Sequence, residues 1–70
     1  MIEIRELPEG RYEVYAEGRH HEAFEGTLGA IAVAQALATE LACETHSSVL
    51  ISTPWGQRLI ENTNNRPSSM

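Results

Sequence analysis

An α+β fold, with one long helix packed on one face of an antiparallel sheet, is what this sequence predicts. Three observations predict it. Apolar and charged residues alternate through most of the first 25 positions, the stretch TLGAIAVAQALATELACETH has apolar residues at helical spacing, and a β-branched run, SVLIST, follows it. The elements expected from these patterns come in the order β–β–β–α–β–β.

Ile2 and Ile4 alternate with Glu3 and Arg5, and Leu7 extends this first strand to the Pro8-Glu9-Gly10 turn. In RYEVYAEG, Tyr12, Val14 and Ala16 share one face, and Arg11, Glu13, Tyr15 and Glu17 share the other. Gly18-Arg19 offers a tight reversal, after which HHEAFEG returns antiparallel with His21 and Ala23 alternating against Glu22 and Phe24. Thr27 is the expected helix N-cap, its hydroxyl accepting from an orphan backbone N–H. The helix is expected from Leu28 to about Thr45, with Leu28, Ile31, Ala34, Leu37, Ala38, Leu41 and Ala42 covering the sheet. Its back carries Ala32, Val33, Ala36, Thr39, Glu40, Cys43 and Glu44. In the strand expected over SVLIST, Ser48–Thr53, Val49 and Ile51 face one way and Leu50 the other, as in an interior or interfacial strand. Pro54, Trp55 and Gly56 form a turn, and QRLIEN returns as the last strand. Residues 1–61 then make one small domain, and the polar segment NTNNRPSSM, residues 62–70, reads as a disordered tail.

Length and composition narrow the function classes. A chain of 70 residues has little core, and such domains are stabilised by disulfides, a metal or a second subunit. Cys43 is the one cysteine, so no internal disulfide forms, and a reduced, cytoplasmic setting is expected. No apolar run reaches the ~20 residues that span a bilayer, so no membrane partner is expected. All ten acids are glutamate and all five bases are arginine, for a net charge of −5. Nucleic-acid backbones are held by patches of cations, so no nucleic-acid partner is expected either. The back of the helix, small and nearly uncharged at its centre, suits close packing against another helix. A homodimer is therefore expected, with Ala32, Ala36, Thr39, Glu40 and Cys43 at the interface.

The residues also resemble a known family. Gly10, Tyr12 and Val14, then Thr27, Ala30-Ile31, Ala34 and Leu37-Ala38, and finally VLISTPWGQRLIE are similar to the pattern of the DUF2188 family, short bacterial proteins of unknown function. The resemblance covers about residues 10–61. This chain departs from the family in being acidic and in lacking its usual lysines, and it has one residue fewer after the threonine. The resemblance implies the α+β layout and no activity. Certain short phage-encoded inhibitors of bacterial CRISPR complexes share a similar layout and the aromatic-x-valine opening, a likeness of architecture alone.

Few residues invite chemistry. Cys43 and His46 are three apart at the helix end and are zinc-ligand types, and one of His20 and His21 could join them, His21 being the candidate third ligand. The competing account is that His46 sits at a helix C-terminus, where a cation suits the dipole, while Cys43 is a small packing residue. A helix C-terminus also does not favour the Cys43 thiolate, no phosphate loop is present, and a chain this short has little room for a substrate pocket. The expectation is no enzyme, no cofactor and no metal. Glu13 and Glu17 with Tyr15 between them form an acidic stripe, with Glu22 expected across from it. That stripe could capture a basic protein surface, although alternation alone predicts a solvated sheet face of this kind. Trp55, in its turn, is a candidate binding anchor or a cap on the core edge. The sequence therefore predicts a non-catalytic cytoplasmic protein that self-associates and acts by protein–protein contact. The alternatives are a phage- or mobile-element-type inhibitor acting through the acidic hairpin, and a small metal-binding module.

Overall fold

In the computed structural model, which describes residues 1–61, the strands are β1 (Ile2–Leu7), β2 (Arg11–Ala16), β3 (Arg19–Glu25), β4 (Val49–Thr53) and β5 (Gly56–Ile60). A 3₁₀ turn, Pro8–Gly10, joins β1 to β2, and the helix α1 (Thr27–Thr45) joins β3 to β4. The expected α+β class and β–β–β–α–β–β order are those observed. The disordered tail expected over residues 62–70 lies outside the described residues.

The five strands form one sheet in the order β3-β2-β1-β4-β5. The sheet is mixed, which corrects the expectation of antiparallel pairing throughout. Neighbours pair antiparallel except β1 and β4, which run parallel with Ile2 opposite Ile51 and Glu3 opposite Ser52. The cause is the crossover: α1 carries the chain from the outer strand β3 back across the sheet, so β4 starts at the same end as β1. β1 is thereby the central strand, with Ile2 and Ile4 buried on the helix side.

Turn chemistry follows the sequence with one shift. Glu17 and Gly18 both take positive φ (52° and 82°), so the reversal is the two-residue turn between Ala16 and Arg19, one position before the expected Gly18-Arg19. Two positive φ values match the right-handed twist of the flanking strands. At the other end of the hairpin, the Gly26 N–H donates to the Gly10 carbonyl at 2.8 Å.

The helix differs from expectation in its start and its face. Gly26, at φ 90° and ψ 173°, is the N-cap and gives no side-chain hydrogen bond, while Thr27 is already helical. Gly26 leaves β3 in a conformation that favours glycine, which moves the helix start one residue earlier. The buried line on α1 consists of alanines alone, Ala30, Ala34, Ala38 and Ala42. Leu28, expected on the sheet side, is 83% exposed, and Ile31, Leu37 and Leu41 are half-buried on the shoulders. One alanine per turn lets the helix backbone settle close to the sheet, and the larger side chains then splay to either side of the contact line. Near the start of α1, a Cβ at Gly29 would stand 2.8 Å from the Phe24 ring.

The core is accordingly thin. Its members are Ile2, Ile4, Val14, the four alanines, Val49 and Ile51, and the largest fully buried side chains are Ile2 and Val14. Tyr12, Ala16, Phe24 and Ile60 pack around its margin.

Candidate functional site

The sheet face away from α1 carries the acidic stripe. Register places Glu3 opposite Tyr15 and Arg5 opposite Glu13 on β1 and β2. Arg5 donates from Nη2 to Glu3 Oε1 at 3.2 Å, its Nε stands 3.2 Å from Glu3 Oε2, and its guanidinium carbon lies 4.0 Å from the centre of the Tyr15 ring. The Glu3 carboxylate raises the Arg5 pKa above its ordinary value, chiefly through their hydrogen bond. The Tyr15 hydroxyl donates to Glu13 Oε1 at 3.2 Å. His20 Nε2 stands 3.3 Å from Glu13 Oε2, an ion pair when the imidazole carries its second proton, and its ring meets Tyr15 edge-on at 5.3 Å. Glu17, in the turn, pairs with the Met1 ammonium.

The sequence-based stripe is therefore partly assembled and partly not. Glu13 and Tyr15 share the face, but Glu22 does not. It is aligned with buried Val14, and directly opposed residues share a face, so Glu22 is on the helix side of the edge strand β3. The residues that sequence reasoning missed here are Glu3, Arg5 and His20. Strict alternation from Glu22 sends His20 to the helix side. A β-bulge leaves His21 as the extra residue between the Val14–Glu22 and Tyr15–His20 pairs, and this brings His20 opposite Tyr15. Bulges of this kind leave no mark in local composition.

The metal candidates are not brought together. Cys43 and His46 lie at the end of α1, where His46 takes the left-handed conformation (φ 57°) and its N–H caps the Ala42 carbonyl. His21 is at the bulge on β3. Among the described residues, no group of three or more His, Cys, Asp or Glu is placed to hold a metal ion. The outward side of α1 carries the expected interface residues, and Ala32, Ala36, Thr39, Glu40 and Cys43 are all exposed on it.

A third surface lies at the β4–β5 end. Trp55 is 54% exposed and meets the Tyr12 ring edge-on at 5.9 Å, so it caps the margin of the core while keeping an open face. Thr53 fixes the turn: its hydroxyl donates to the Gly56 carbonyl and accepts from the Trp55 N–H. Between this hairpin and α1 runs an open groove of about 340 Å³, with Ile31, Ala34 and Ile51 as its apolar lining and Gln35, Trp55 and Arg58 around it. On the opposite face of the hairpin, Leu59 is 55% exposed beside its half-buried partner Leu50. None of the helices is long and apolar enough to cross a membrane among the described residues.

No protein-family model matches this chain, and neither a curated protein nor a solved structure matches it. The likeness to DUF2188 thus stands on the residues quoted for it.

Proposed function

We propose that this chain is a non-catalytic cytoplasmic protein that self-associates and works through protein–protein contact. The observation that carries the reading is the core: among the described residues its buried members are four alanines with Ile2, Ile4, Val14, Val49 and Ile51, while Leu28, Trp55 and Leu59 remain exposed. A domain that buries so little gains from covering further apolar surface with a partner. Light scattering coupled to size-exclusion chromatography tests it across a concentration series. The expected molar mass climbs from 7.8 kDa toward twice that value. A mass that stays at 7.8 kDa at every concentration overturns the reading.

The reading as an inhibitor of a basic surface draws less support. Glu3, Glu13 and Glu17 already face Arg5, His20 and the Met1 ammonium, and Glu22 belongs to the other side of the sheet. The metal-module reading draws less still, because Cys43, His46 and His21 do not converge.

A further inference from the structure

We propose that the contact in this self-association is the free edge of β5, which pairs antiparallel with β5 of a second copy to continue the sheet. The proposal rests on the self-association reading and names its surface. Among the described residues both β3 and β5 are edges, and each leaves one side of its backbone without a strand partner there. Exposed edges of this kind invite another strand unless charge, a bulge or shortness blocks them. β3 is blocked: it carries Arg19, His20, His21, Glu22 and Glu25, and its ladder is broken by the bulge at His21. β5 has an unbroken register with β4 over Gly56–Ile60, a single charged side chain, Arg58, and the exposed Leu59.

The self-association reading makes the occupant a second copy, and charge decides where the two copies meet. Each chain carries a net charge of −5, so two copies repel unless their acidic parts are kept apart. Seven of the ten glutamates lie in the first 25 residues, whereas residues 49–60 contain no acid. Meeting at β5 joins the two hairpins with Glu61 at the rim as the one acid each copy brings near the seam, and it leaves β2 and β3, with their glutamates, toward the far ends of a ten-stranded sheet. The outward side of α1 brings Glu40 and Glu44 toward the contact instead.

The register follows from the ladder. Gly56 opposes Thr53 across a two-residue turn, and bonded and non-bonded pairs alternate from there, so Gln57 and Leu59 turn their N–H and C=O groups away from β4. A two-fold axis at Leu59 sets Leu59 against Leu59 of the second copy and Gln57 against its Glu61. On the open face, the two Leu50–Leu59 pairs become one apolar patch. Arg58 then opposes Ile60 of the second copy, which avoids an arginine pair.

The test compares wild type with Leu59→Lys, Gln57→Pro and Ala36→Glu by light scattering, with amide hydrogen exchange on wild type. Proline at Gln57 removes an outward N–H and leaves the β4 ladder intact. The expected result is a wild-type dimer with slowly exchanging Gln57 and Leu59 amides. Leu59→Lys and Gln57→Pro weaken it by at least about tenfold, and Ala36→Glu leaves it unchanged. A wild-type dimer in which those two amides exchange freely, or which only Ala36→Glu disrupts, overturns the β5 contact while self-association stands. A wild-type monomer overturns both and leaves the edge to a strand from another protein. The exchange measurement decides the matter even where a variant fails to fold.

Discussion

Two rows of alanine on the same helix have opposite roles. Ala34 and Ala38 are fully buried against the sheet, whereas Ala32 and Ala36, two positions before each, are exposed. Alanine has the best intrinsic helix propensity, so both rows help α1 to form. Only the buried row sets a distance. It lets the helix backbone approach β1, β2 and β4, and the missing side-chain volume is the reason so few large residues are needed beneath it. The contrast teaches that a small residue in a helix reports on close packing only when its position on the contact line is known.

Substitutions can break or sharpen this contrast. The largest effect is expected for Ala38→Leu, which forces three further carbons into the contact line away from the groove and lowers stability by about 3 kcal/mol in urea denaturation. Such a loss is large for so small a domain, and outright unfolding is the extreme outcome. Gly29→Ala is intermediate. Its Cβ meets the rigid Phe24 ring, and a gain of about 1 kcal/mol in helix propensity offsets part of the strain, for a net loss of about 1 kcal/mol. Ala36→Leu is the smallest, within about 0.5 kcal/mol of wild type by the same measurement. If Ala38→Leu and Ala36→Leu prove equal, the two rows do not differ as described.

Much of the fold was legible because strands and helix carry their own periods. Tyr12, Val14 and Ala16 against Glu13 and Tyr15, and Val49 and Ile51 against Leu50, are faces that alternation alone assigns. The parallel β1–β4 pair was not legible, since direction depends on where the crossover lands and not on any local residue. The helix face was misread only at its start, where Leu28 is exposed and Ala30 is buried in its stead, for a related reason. Hydrophobic periodicity weights Leu28 above alanine, yet contact with a sheet favours the smallest residue at the line of closest approach. Among the surface residues, Glu13 and Tyr15 were found from their spacing. Arg5 and His20 joined them only through cross-strand register and a bulge, which are properties of two strands together.

The place of β1 also has a consequence for the order in which the molecule can be assembled. Ile2 pairs with Ile51, a residue made 49 positions later. β1, β2 and β3 are neighbours in sequence and can zip locally on a microsecond scale. One flank of β1 must then wait for the helix and the last two strands. Pairings of such long range are slow to form, and the waiting flank is a bare strand edge. On the ribosome, the interval between emergence of β1 and arrival of β4 is therefore when this chain is most exposed to pairing with the wrong strand.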